Sequence, residues 1–215
     1  MFESPLLRRL VPAFAAALLG VPLAAGAEDA SVTRSVSGFD RIKLTGAFTA
    51  DIKAGEAARF VMTGDRSLLD RVTTEVRDRT LIVGMRPGTG PFGNSPKLEI
   101  GLPVLRSFSN EGAGSMKISG LTGGELAIEN AGAATIVAAG RATRESISLD
   151  GTGKIDVSAV EARDVTVDNN GVGSVRVRAS GTLTMNVNGV GEIRYAGKPT
   201  HVESNVNGVG RIGRL

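Results

Sequence analysis

Asp150 and Asp168 are the two residues of this sequence best placed for acid–base chemistry. Asp150 directly precedes a Gly-Thr-Gly phrase (Gly151 to Gly153), and Asp168 stands just before a Gly-Val-Gly phrase (Gly171 to Gly173). Stacking one phrase on the next at the ~4.8 Å spacing of paired strands would bring the two carboxyls ~8 Å apart, within the range of an inverting glycosidase pair. One would protonate the leaving group and the other would activate a water. Against that, the neighbours Ser148, Thr166 and Asn170 offer a sugar ring no aromatic platform. Solvated carboxylates at the edge of a turn are the simpler reading.

The residues just before successive glycine phrases are Glu111, Ala131, Asp150, Asn170, Asn188 and Asn207. Asn and Asp in that place bond to the backbone of the adjacent turn and stack into a ladder. A calcium site would need further carboxylates at alternate positions. A second polar set is cationic: Lys117, Lys154, Arg176, Arg178, Arg194 and Arg211. Guanidinium groups repeated every ~4.8 Å could grip an anionic polymer such as an acidic polysaccharide or lipopolysaccharide phosphate. The competing reading is a solvated face that blocks aggregation, partly neutralised by Asp156 and Glu192. The ligand-binding candidates are therefore Lys154, Arg176, Arg178, Arg194 and Arg211.

Other chemistry has little to build on. His201 is the only histidine and no G-x-S-x-G elbow exists, so no nucleophilic catalytic group is expected. Gly88 to Gly93 spells G-x-G-x-x-G, but Asn94, Ser95 and Pro96 follow where a dinucleotide site needs a helix, so it reads as a loop. With no cysteine there is neither a disulfide nor a thiolate metal site, and no cofactor or metal is expected. A formal net charge of +3 over 215 residues does not suggest nucleic acid as a bulk partner.

The elements that must position these residues are repeats. The first glycines of the phrases are Gly112, Gly132 (degenerate, G-A-A), Gly151, Gly171, Gly189 and Gly208, at intervals of 20, 19, 20, 18 and 19. Four residues after this anchor stand Met116, Ile136, Ile155, Val175, Ile193 and Ile212; four before it stand Phe108, Ile128, Ile147, Val167, Met185 and Ser204. Six before it come Arg106, Leu126, Glu145, Val165, Leu183 and Val202, and the columns between are largely polar. Each repeat thus reads as two short alternating strands joined by a tight turn. The turn glycines Gly112, Gly114, Gly151, Gly153, Gly171, Gly173, Gly189, Gly191, Gly208 and Gly210 suit a sharp bend that calls for positive φ. One repeat cannot fold alone, because ordering each residue costs about 1–2 kcal/mol of backbone entropy. Stacked repeats bury the columns and pair the strands, which makes a parallel β-solenoid. Ser204 and Arg214 place polar groups where the last repeat would be exposed.

Upstream, residues 28–104 read as an irregular β region continuous with the six-repeat solenoid at 105–215. Asp65 or Ser67 would cap a helical turn, and Val72 to Val76 and Leu81 to Met85 would form a hairpin about Arg77-Asp78-Arg79. Residues 1–27 read as a signal peptide: Arg8 and Arg9, an uncharged Ala-rich run, then Ala25 and Ala27 at the cleavage junction. That run is short for a membrane span and holds Pro12 and Pro22.

SGFDRIKLTGAFTADIKAG (Ser37 to Gly55), TGDRSLLDRVTTEV (Thr63 to Val76), and GVGEIRYAGKP (Gly189 to Pro199) with NGVGRI together resemble the head GIN domain family. These are bacterial exported proteins labelled auto-transporter adhesins. The resemblance spans essentially the whole chain after residue 27. It implies an all-β, right-handed parallel β-helix with Gly-x-Gly turns and without pectin-lyase catalytic residues. The sequence shows no C-terminal membrane-barrel pattern. The expected protein is a non-enzymatic envelope-binding module located in the periplasm, at the cell surface or outside the cell. Its partners would be surface polysaccharide or envelope proteins. A carbohydrate-active enzyme using Asp150 and Asp168, or a self-associating structural protein, are the alternatives.

Overall fold

The computed structural model describes residues 29–87 and 95–215. The segment expected to be a signal peptide and the G-x-G-x-x-G stretch both lie outside the described residues.

The described residues open with β1 (Asp29–Thr33), then β2 (Arg41–Thr45) and β3 (Ala47–Ala54), which meet at Gly46. β4 (Arg59–Asp65) runs into a one-turn helix, α1 (Arg66–Leu69). Asp65 is its cap: the carboxylate accepts the Ser67 N–H at 2.8 Å, and Leu68 and Leu69 turn inward. β5 (Val72–Arg77) and β6 (Thr80–Met85) form the expected hairpin. Its two turn residues, Asp78 and Arg79, have φ of 48° and 61°, matching the twist of the flanking strands. β7 (Lys97–Leu102) follows.

The repeats then supply β8 (Ser107–Asn110), β9 (Ala113–Thr122), β10 (Glu125–Asn130), β11 (Ala133–Leu149), β12 (Thr152–Asn169) and β13 (Val172–Ala179). β14 (Thr182–Val187), β15 (Val190–Gly197), β16 (His201–Val206) and β17 (Val209–Arg214) complete them. β11 and β12 are each a single long strand where two short ones were expected. Pairing of Arg141 with Glu161 and of Ala142 with Ala162 carries their ladder around the return connection.

These strands wind into an all-β solenoid of about five turns, which the six anchor glycines bound. Before the glycine turn, Phe108, Ile128, Ile147, Val167, Met185 and Ser204 lie side by side in parallel register. After it, Met116, Ile136, Ile155, Val175, Ile193 and Ile212 do the same. All but the final member of each row are 0–1% exposed. Each such burial contributes about 1.5–3 kcal/mol, available only when the next coil is in place.

At the N-terminal end the stacking order departs from the chain order. β2 pairs with β8 on one side and β6 on the other, while β3 lies between β9 and β7. The β2–β3 coil therefore sits inside the stack, and the chain leaves it, builds β4 to β7, and returns across it to start β8. Antiparallel strands close this end, β4 on β7 with β1 beyond it, and β5 on β6. Asp40 fastens the crossing. It is 6% exposed, and its carboxylate holds Arg79 at 2.7 Å and Arg106 at 3.2 Å.

The glycine turns owe their composition to clearance more than to φ. The anchors Gly112, Gly151, Gly171, Gly189 and Gly208 are outside the positive-φ region. A Cβ on Gly171 would lie 2.0 Å from the Gly151 carbonyl oxygen, and one on Gly189 would lie 2.0 Å from that of Gly171. Real Cβ atoms do not approach backbone that closely. Of the second glycines, Gly114, Gly153, Gly173 and Gly191 have positive φ, 139° at Gly153 and 156° at Gly173, whereas Gly210 lies outside that region.

A carboxylic acid interrupts one of the apolar columns. Glu145 faces inward between Leu126 and Val165, is 2% exposed, and neither carboxylate oxygen has a partner. Burial pushes its pKa from the ordinary 4.5 up to about 8.

Two outcomes follow. Gly189→Ala should destabilise the protein by about 1–3 kcal/mol or more in chemical denaturation. Gly213→Ala, which has nothing within 4 Å of a new Cβ, should cost far less. For Glu145, the folded pKa lies above the unfolded one, so the folded state holds the proton longer. The contribution of this residue to stability is then greatest below pH 4.5 and declines up to about pH 8. The slope approaches ~1.4 kcal/mol per pH unit inside that window. Glu145→Leu should raise the melting temperature at pH 8 and abolish this component, and equal pH slopes in the two proteins would disprove it.

Candidate functional site

The turn edge carries three rows of amides and carboxylates. In the outer row Asn170 Nδ2 donates to Asp150 Oδ1 at 2.8 Å, Asn188 Nδ2 to Asn170 Oδ1 at 2.9 Å, and Asn207 Nδ2 to Asn188 Oδ1 at 3.2 Å. Ser148 Oγ donates to the other oxygen of Asp150 at 2.7 Å. Asp168 heads a different row, accepting Asn186 Nδ2 at 2.8 Å. Asp150 thus ends a run of three amide bonds, while Asp168 accepts a single one. Among the described residues no cluster of His, Asp or Glu could hold a metal ion.

The third row is buried, and column reading on sequence missed it. Asn110 Nδ2 donates to Asn130 Oδ1 at 2.7 Å and to the Gly112 carbonyl at 3.2 Å. Asn130 Nδ2 reaches the Gly132 and Thr152 carbonyls at 3.4 and 3.3 Å. Asn169 occupies the equivalent place two coils on, fully buried. The signal was present as a polar residue at an inward-facing position just before the turn. It was masked because Leu44, Leu149 and Val187 fill the same column elsewhere.

The cationic candidates lie on the outer face of the ladder after the turn. Lys154 and Arg176 share Asp156, each at 3.6 Å. Arg194 and Arg211 share Glu192, at 2.8 and 2.9 Å. Arg178 stands apart, donating from Nε to the Ser158 carbonyl at 3.0 Å beside a cavity of about 480 Å³ that also holds Glu161, Arg163 and Lys198. Lys117 pairs in register with Asp51 and Val137. Partial burial works against ionisation of Asp156. Hydrogen bonds from Ser158 and the charges of Lys154 and Arg176 outweigh it and hold the carboxyl below its usual range. At Glu192 a desolvation effect is likewise overcome by the hydrogen bonds and charges of Arg194 and Arg211. Each carboxylate therefore stays ionised and orients two cations, leaving one positive charge in excess at each cluster.

A wider groove of about 680 Å³ runs along the solenoid before the turn. Ser107, Ala127, Ser146 and Thr166 are one outward row and form its floor, while Arg41, Arg106, Arg144, Glu125 and Asp164 border it. Arg144 and Glu125 are ion-paired across neighbouring coils. Sequence reasoning did not single out this groove, because its small side chains carry no chemistry of their own.

Among known proteins, the sequence matches the family described as "Putative auto-transporter adhesin, head GIN domain" over residues 38–199. No curated protein matches. A solved structure of a putative adhesin from Bacteroides fragilis is similar, with TM-score 0.71 and 19% identity over 88% of this chain and 98% of that one. A putative adhesin from Parabacteroides merdae gives TM-score 0.54 and 18% identity over 87% of this chain and 96% of that one. At such identities the neighbours carry the fold. The family match covers well over half of the sequence, and the chain belongs to the head GIN domain family.

Proposed function

We propose that this protein is an exported, non-enzymatic β-solenoid of the adhesin type that binds an anionic polymer of the cell envelope. Its signal peptide is residues 1–27, and the rest works as one unit. The coil is right-handed with about 19 residues per turn. The docking surface is the outer face bearing Lys154, Arg176, Arg178, Arg194 and Arg211. The observation that carries this reading is the sharing of one carboxylate by two cations at Asp156 and again at Glu192.

That arrangement has two physical effects. It fixes long side chains that would otherwise lose rotamer freedom on binding, which lowers the cost of engaging a ligand. It also leaves guanidinium groups whose unused N–H donors can form paired bonds to carboxylate, sulfate or phosphate. Because the coils repeat, the positive groups repeat along the axis, as the charges of a polyanion do. The parallel register of Arg176 with Arg194 supports this.

The test is binding of the purified protein to immobilised acidic and neutral polysaccharides. The wild type should prefer the acidic one, with affinity falling as salt is raised, since the surface charges are screened over about 8–10 Å. Arg176→Glu combined with Arg194→Glu should weaken binding about tenfold or more. Unchanged affinity in that variant would refute the assignment of this face.

A further inference from the structure

The two ends of the solenoid are treated differently. At the N-terminal end antiparallel strands cover the outermost coil. At the other end β16 pairs only with β14 and β17 only with β15 among the described residues. Every residue of β16 is exposed, with Val202 and Val206 each at 43% and Val209 beyond it at 73%. Edges of this kind are usually guarded by lysine or proline. β16 and β17 contain neither. Their two arginines are turned back onto the preceding coil. Arg211 goes to Glu192, and Arg214 goes to the Gly197 carbonyl at 2.9 Å and over the Tyr195 ring.

The backbone direction along β16 is determined. The N–H groups of His201 and Asn207 donate back to Gly181 and Val187 of the preceding coil. In a parallel ladder the backbone groups of one residue face one neighbour and those of the next residue face the other. Val202, Ser204 and Val206 therefore point their N–H and C=O groups outward from the end, while their side chains continue the inward apolar columns.

We infer that this open end is a homodimer interface in which β16 pairs antiparallel with β16 of a second copy, centred on Ser204. The sequence Val202-Glu203-Ser204-Asn205-Val206 is self-complementary about that centre. Val202 comes opposite Val206 of the second copy, Ser204 opposite Ser204, and Glu203 opposite Asn205, so no like charges meet. The three pairs that face inward are also the three whose backbone groups are free, so side-chain parity and hydrogen-bond parity agree. Neither needs to agree by chance, because a one-residue shift of register breaks the first. The opposite end finishes in β1 and β5, edge strands with one partner each, so the two-fold contact is chosen over a head-to-tail stack by the self-complementary register of β16 alone.

The experiment is sedimentation of the full chain over a range of concentrations, with cysteine cross-linking. The protein has no native cysteine, so Ser204→Cys introduces the only thiol. Antiparallel pairing centred on this residue sets its Cα ~5.5 Å from its counterpart, within disulfide reach. Wild type should sediment as a concentration-dependent monomer–dimer equilibrium. Mild oxidation should link Ser204→Cys into a dimer far faster than Ser37→Cys at the covered end. Val206→Lys should raise the dissociation constant about tenfold or more. Both changes fall on exposed positions, and an unchanged melting profile would show that the coil survives. A monomer at every concentration, cross-linking no faster than at Ser37, or growth into long filaments would each overturn the proposal. So would a monomer whose β16 amides resist hydrogen exchange, since another occupant would then hold the edge.

Discussion

The whole molecule depends on how closely one coil can approach the next at the glycine turns. There the backbone of each repeat rests on the carbonyl of the repeat beneath, with no room for even a methyl group. That contact sets the phase of every coil relative to its neighbour. Once the turns are superimposed, the columns on either side have no freedom to slip, because a one-residue shift would send each apolar side chain outward. The apolar rows, the asparagine rows and the shared ion pairs are all consequences of that fixed phase.

The same phase explains why polar groups cluster as they do. An amide one coil above another can donate to it and accept from the next, so Asp150, Asn170, Asn188 and Asn207 form a chain of bonds with a single direction. A carboxylate in such a row can only accept, which is why aspartate stands at its start. On the sheet face, register brings Arg176 beside Asp156 and Glu192 beside Arg211. An isolated exposed ion pair of this type contributes about 0–1 kcal/mol, so its value is in positioning side chains more than in stability.

The repeat half was largely legible in the sequence because its columns are pure. Met116, Ile136, Ile155, Val175 and Ile193 admit one reading, and Asp65 before Ser67 announced its helical turn. The N-terminal half was not, for a specific physical reason. Ile42, Leu44, Phe48 and Ile52 alternate as any strand would, and apolar columns pack equally well in several stacking orders. Nothing in that alternation says that Gly46 lies beneath Gly112 across a long excursion of chain. Function was legible only as a set of alternatives. Lys154, Arg176, Arg194 and Arg211 could be found by spacing and Asp156 and Glu192 named as neutralising charges, but that each carboxylate is shared by two cations became visible only with the register. The role of the anchor glycines was misjudged for a related reason: a turn seen alone suggests a φ requirement, whereas the constraint comes from the coil below.

The interleaving of β2–β3 between β6–β7 and β8–β9 has a consequence for how such a protein can be assembled and lengthened. The C-terminal coils touch only their immediate neighbours in sequence, so each can add to a finished surface, one at a time. The three coils at the other end cannot. The β2–β3 coil is complete only when chain on both sides of it has arrived, which makes those layers one cooperative block with high contact order. That block is expected to form slowest and to seed the coils that follow. Duplication or loss of a repeat is thus tolerable on the C-terminal side of the seed and ruinous within it. The molecule has a fixed foot and an extendable arm.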